Sequence, residues 1–121
     1  HPPPVVAATI AAIDVLETEP QHVESLWRNT GHFKKAVEDL GFDTGRSQTP
    51  IIPLIVGESS KAKMLSDMLY EEGIFVVPIV FPMVARDLAR IRVQMNAKLS
   101  LEQLDHVIEV VEEIGKKLEI I

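Results

Sequence analysis

The run Ala89–Ala97, ARIRVQMNA, constrains the fold of this chain more than any other stretch. Counted by twos, Ile91, Val93 and Met95 point one way, while Arg90, Arg92 and Gln94 point the other. That alternation belongs to a strand with one buried and one wet face, so the chain must build a sheet covered on one side. A mid-strand arginine also needs partners for its five N–H donors. Arg92 therefore asks for a carboxylate, supplied by an internal salt bridge or by a small-molecule substrate, unless it simply faces solvent on a half-exposed strand. Arg90 shares the face as the more exposed of the two on this reading, and periodicity does not choose between them.

The other elements follow from spacing and punctuation. Pro2–Pro4 suit the start of a helix, and Val5–Glu17 continues it, apolar on nearly all sides apart from Thr9 and Asp14. A helix without a polar face must be covered all round, which implies a partner subunit or a further domain. Thr18-Glu19-Pro20 breaks it. A second helix is expected over Gln21–Leu40, with Val23, Leu26, Trp27, Phe33, Val37 and Leu40 as an irregular buried stripe, and Gly41 as its stop. Gly41–Pro50 reads as a loop. Ile51–Val56 reads as a strand, on an edge or bulged because of Pro53.

A third helix is expected over about Ser60–Glu72, capped by Ser59 or Ser60, with Ala62, Leu65, Met68 and Leu69 buried and Tyr70 half-buried. Gly73 ends it. Ile74–Ile79 is a second strand, Phe81–Leu88 a connection, and Ala89–Ala97 the third strand. Ser100-Leu-Glu-Gln103 forms a capping box for the last helix. Its Leu104, Val107, Ile108, Val111, Ile114 and Leu118 recur at three and four, with Glu112–Lys116 and Glu113–Lys117 paired on the wet side. The order α-α-β-α-β-β-α implies an α+β layer of helices on a small, mainly antiparallel three-stranded sheet.

Composition narrows the chemistry. At 121 residues, 46% hydrophobic and 25% charged, the sequence is that of one soluble globular domain. A net charge of −6 without a basic stripe argues against nucleic acid. No stretch spans a membrane and no signal peptide opens the chain. The absence of cysteine fits a reducing, cytoplasmic setting. There is no Gly-x-Gly-x-x-Gly or Gly-Lys-Ser/Thr loop. His1, His22, His32 and His106 lack metal-ligand spacing. Ser59 and Ser60 read as caps rather than nucleophiles, and no lysine sits in the apolar setting a Schiff-base amine needs. The start at His1-Pro-Pro-Pro reads as a cut from a longer chain.

Pro2–Ala8, Leu26-Trp27, Gly41–Gly45, Pro50–Pro53, Glu72–Val76, Phe81–Val84 and Ala89–Gln94 together resemble the C-terminal part of the α-oxoamine synthases. These are pyridoxal-phosphate enzymes of the aminotransferase-like fold (fold type I), and the resemblance covers essentially the whole chain. It implies that residues 1–20 form a helix linking to a large domain outside this chain, and that residues 21–121 form the small C-terminal domain. It further implies that Arg92 binds the carboxylate of an amino acid held on the cofactor, while the cofactor-binding and catalytic residues lie in the large domain. No metal is expected.

Within the family the Ala-Arg-Ile-Arg-Val-Gln run is most similar to the glycine C-acetyltransferase branch, also called 2-amino-3-ketobutyrate coenzyme A ligase. Its substrates are glycine and acetyl-CoA, and a homodimer is expected. An 8-amino-7-oxononanoate synthase-like member is the alternative, as is a non-catalytic amino-acid-binding regulatory domain or an interaction domain that docks through the first helix. One departure stands out: Ala97-Lys98-Leu99-Ser100 has Leu99 where the family commonly carries a histidine.

Overall fold

The computed structural model describes residues 1–121. Its elements are α1 (Pro3–Thr18), α2 (Gln21–Leu40), β1 (Ile51–Gly57), α3 (Ser59–Glu71), β2 (Val77–Ile79), β3 (Ala89–Gln94) and α4 (Leu101–Lys117). The expected order is met, and the three strands form one antiparallel sheet in the order β1-β3-β2. In β3 the alternation does what the sequence requires. Ala89, Ile91 and Val93 are buried, and so is Met95 just beyond, whereas Arg92 and Gln94 are exposed on the opposite face.

The register explains two prolines. Pro53 of β1 stands opposite Arg92, and Pro78 of β2 stands opposite Ile91. Proline has no N–H to give a ladder, so each must occupy a position that faces away from β3. The two placements agree, because consecutive residues of the central strand turn their amides alternately to either neighbour. The outward N–H groups left on β1 are also satisfied. Ile55 donates to the Asp43 carbonyl at 2.8 Å, and Ile51 donates to Thr49 Oγ1 at 3.3 Å.

Only one face of the sheet is covered. α3 packs against all three strands, and α2 and α4 pack on each other and complete the layer. Phe33 and Val37 of α2, Ile52 and Leu54 of β1, Leu65 and Leu69 of α3, Ile91 and Val93 of β3, and Leu104, Val111 and Ile114 of α4 share one core. Burial of each such side chain contributes about 1.5–3 kcal/mol.

Helix ends are fixed by local chemistry. The capping box is complete: Ser100 Oγ accepts the Gln103 amide at 3.1 Å, and Gln103 Oε1 accepts the Ser100 amide at 3.0 Å. α2 closes through Gly41 at φ 106°, with the Phe42 amide donating to the Val37 carbonyl at 3.0 Å. That closure turns Phe42 into the core.

Several expectations give way. β2 is shorter than Ile74–Ile79, because Ile74–Val76 leave the ladder: the Val76 carbonyl accepts Ser66 Oγ at 3.2 Å, and Phe75 is 78% exposed. β3 ends at Gln94, where the Met95 amide turns to the Pro50 carbonyl at 3.0 Å. Neither Ser59 nor Ser60 caps α3. Glu58 is the N-cap residue, and no side chain accepts from the first turn. Val23 and Trp27 are exposed rather than buried, and Tyr70 is 70% exposed. The core side of α2 instead carries Asn29 and Thr30. Asn29 Nδ2 donates to the carbonyls of Asn96 at 3.0 Å and Leu99 at 2.9 Å, tying α2 to the turn before α4.

The pair Glu112–Lys116 forms, whereas Glu113–Lys117 is not among the ion pairs. α1 buries no residue against the rest of the chain. No helix is long and apolar enough to cross a membrane.

Candidate functional site

The open face of the sheet holds the candidate site. Arg90 and Arg92 are two apart on β3 and therefore project on the same side, about 7 Å apart along the strand. Ile51, Pro53 and Ile79 from the flanking strands project beside them, since they stand opposite Gln94, Arg92 and Arg90 in the register. The loop between α2 and β1 rises along the β1 edge and adds Gly45, Arg46, Ser47 and Thr49. Together these residues line a cleft of about 390 Å³.

The loop is held rather than loose. Gly45 takes φ 63°, and its amide donates to Asp43 Oδ1 at 2.8 Å. The Ser47 carbonyl accepts Lys34 Nζ from α2 at 2.7 Å, and Ser47 Oγ donates to the Ile51 carbonyl. Gly45 supplies a backbone conformation that costs an L-residue about 1–2 kcal/mol, and the Asp43 contact is the usual aspartate turn.

Charge in the cleft is one-sided. Arg46, Arg90 and Arg92 line it, and no aspartate or glutamate does. The ion pairs of the chain are His22–Glu19, His32–Asp105 and Lys116–Glu112, so no arginine is neutralised internally. Arg90 Nε donates to the Leu88 carbonyl at 3.2 Å, which fixes that side chain and leaves its terminal NH2 groups for other partners. The Arg92 side chain makes no hydrogen bond within the chain. It also borders a second hollow of about 260 Å³ with Phe75, Val77 and Gln94, so it stands on the ridge between two recesses. A planar guanidinium in that position suits a bidentate carboxylate or a phosphate.

The relation between the two arginines differs from expectation. Arg90 is the half-buried one and Arg92 the exposed one, because Arg90 lies under the Leu88 turn where the strand begins. Arg46 was not singled out by the sequence. It lies in an irregular loop with no period to read, and only the fold brings it to β3.

The cleft does not suit pyridoxal phosphate itself. That cofactor requires a lysine amine for its aldehyde and a partner for its ring nitrogen, and no lysine or acidic side chain lines this cleft. A larger recess of about 550 Å³ lies elsewhere, between the end of β3, the chain before β2 and the start of α4. It carries no arginine and is lined mainly by apolar groups such as Ile74, Val93, Met95 and Val107, with Glu102 and His106 on its wall. Leu99, at the position where the resemblance expects a histidine, is half-buried and packs against the core.

Comparison with known proteins supplies the family. The aminotransferase class I and II family profile matches residues 1–111. The chain is 46% identical over 121 residues to the 8-amino-7-oxononanoate synthase of Symbiobacterium thermophilum, covering 100% of this chain and 31% of the relative. It is 48% identical over the same length to an enzyme of Thermus thermophilus named as both 8-amino-7-oxononanoate synthase and 2-amino-3-ketobutyrate coenzyme A ligase, again 100% of this chain and 31% of that protein. A serine palmitoyltransferase of S. paucimobilis with bound PLP shares the fold at TM-score 0.90 and 24% identity, over 99% of this chain and 31% of that one.

The chain thus spans about 31% of the length of the curated relatives it matches. Those names favour the 8-amino-7-oxononanoate alternative over the glycine C-acetyltransferase reading, whose reaction one of these relatives also carries in its name. With the family profile covering nearly the whole length and the aminotransferase-like fold in place, this chain belongs to the aminotransferase class I and II family, on its α-oxoamine synthase-like side.

Proposed function

We propose that the chain is the small-domain part of a pyridoxal-phosphate-dependent α-oxoamine synthase, in which Arg92 binds the carboxylate of the amino-acid substrate. The observation that carries the reading is Arg92 itself: exposed, without an internal counter-charge, and on the wall of a cleft lined by further arginines. The cofactor and its lysine belong to the rest of the full-length enzyme. α1, apolar on nearly all sides and buried nowhere within this chain, is the link to that part. The enzyme acts as a homodimer on this reading.

The product named for the relatives supports one reaction for the full-length enzyme. In 8-amino-7-oxononanoate, C1–C7 come from a seven-carbon acyl group with a carboxylate at its far end. C8 and C9 come from an amino acid that has lost its own carboxylate as CO2. The new bond joins C7 to C8, and coenzyme A leaves as the thiol. We favour this reaction over the glycine C-acetyltransferase one, in which glycine keeps its carboxylate and becomes 2-amino-3-ketobutyrate. In either case Arg92 has the same task, which is to orient the amino acid by both carboxylate oxygens.

Arg92→Ala in the full-length enzyme tests the assignment. A charge-assisted contact contributes about 1.5–3 kcal/mol, so kcat/KM for the amino acid should fall roughly 10- to 150-fold. Unchanged amino-acid kinetics remove Arg92 from the site. Rates with acetyl-CoA and with the coenzyme A thioester of heptanedioic acid, compared side by side, separate the two branches.

A further inference from the structure

One carboxylate does not account for the arginine face. A carboxylate is satisfied by a single bidentate guanidinium, yet Arg46, Arg90 and Arg92 share one cleft without an acidic neighbour in its lining. The chain as a whole carries a net charge of −6, with 18 acidic residues available for pairing. None of them forms an ion pair with any of the three. A cleft lined by charges of one sign focuses its field and draws in anions, with more guanidinium donors here than one carboxylate uses.

Two features separate Arg46 and Arg90 from Arg92. Arg90 is half-buried with its Nε spent on the Leu88 carbonyl, so only its terminal nitrogens face the cleft. Arg46 approaches from the other element, on a loop anchored by Gly45–Asp43 and Lys34–Ser47 contacts.

We propose that Arg46 and Arg90 form a second anion subsite, one that holds a negatively charged group of the acyl donor while Arg92 holds the amino acid. The proposal rests on the reading of Arg92 given above. The group is an oxyanion, and the donor offers two: the carboxylate at the far end of a dicarboxylic acyl chain, or the phosphates of coenzyme A. Both fit a pair of guanidinium donors. The subsite would make the arginine face a determinant of donor choice, because an acetyl group brings no chain-end carboxylate to it.

The test uses the full-length protein, with binding read by calorimetry for two probes, heptanedioate and coenzyme A. Arg46→Gln, Arg90→Gln and the double variant are compared with the unaltered protein and with Arg92→Gln. Loss of a charge-assisted pair predicts weakening of about tenfold in the double variant for one probe. The amino-acid KM stays within about twofold. Weakening of heptanedioate alone assigns the chain-end carboxylate, and weakening of coenzyme A alone assigns the phosphates. No weakening of either probe, or no binding of either by the unaltered protein, overturns the proposal.

Arg46 lies on an exposed loop outside the core, so Arg46→Gln must weaken the same probe measurably by itself. If it does not, the proposal fails even where an Arg90 variant is unfolded. Failure of the Arg92 reading shows differently, as an amino-acid KM that Arg92→Gln leaves unmoved.

Discussion

Two helical glycines, Gly31 in α2 and Gly115 in α4, should respond differently to the same substitution. Replacing glycine by alanine in a helix interior contributes about 1 kcal/mol from propensity alone. At Gly31 a new Cβ meets nothing within 4 Å, so Gly31→Ala should show that full gain. At Gly115 the Cβ would lie 2.6 Å from Phe42 Cζ and 3.3 Å from two carbons of Ile121. Ordinary contact begins near 3.4 Å, so the ring would have to retreat by roughly 3.4 − 2.6 = 0.8 Å.

Phe42 is only 4% exposed, and its amide is fixed to the Val37 carbonyl, so it has little room to retreat. Overpacking of this kind costs about 1–3 kcal/mol. Set against the propensity gain, Gly115→Ala should be neutral to destabilising by about 2 kcal/mol. Urea unfolding of the two variants measures the difference, expected at about 1–3 kcal/mol in favour of Gly31→Ala. Adding Phe42→Leu should relieve the clash and turn Gly115→Ala favourable relative to the Phe42→Leu parent, a coupling above about 0.5 kcal/mol. If Gly115→Ala stabilises as much as Gly31→Ala, the packing argument is wrong.

Two further variants probe contacts that hold the site's scaffold. Asn29→Asp removes the amide that serves the Asn96 and Leu99 carbonyls and sets a carboxylate against them; a loss of about 2–5 kcal/mol in denaturant unfolding is expected, and a loss below about 1 kcal/mol would falsify the tie. Ser100→Ala opens the capping box of α4 and should cost about 1 kcal/mol by the same assay, with Ser100→Asp recovering most of it.

Much of the architecture was legible because it rests on local rules. Period two in Arg90–Met95 gave both faces of β3, and Ser100 with Gln103 gave the start of α4. Gly41 and Gly73, both at positive φ, gave the ends of α2 and α3. α4 closes by the same geometry on Glu119 at φ 57°, and no residue type announced that. The length of β2 was illegible for a different reason. Ile74, Phe75 and Val76 have strand-forming side chains, but pairing depends on which backbone groups Ser66 and the helix end have already claimed.

Asn29 was missed because a polar residue on a helix reads as solvent-facing until its long-range carbonyl partners are known. The site divides likewise. Arg92 could be named from its strand alone, whereas Arg46 joins it only through the path of a loop, and loops carry no periodicity.

Pro53 and Pro78 sit on the two outer strands with their missing amides turned outward, so neither margin of the sheet offers a continuous row of donors. An extra strand, whether from a sister molecule or from a growing fibril, would find gaps where it needs hydrogen bonds. Edge-to-edge pairing is thereby disfavoured, which leaves the arginine face and α1 as the surfaces suited to association through side chains. Recognition there is set by charge and shape, which mutation can tune without disturbing the sheet.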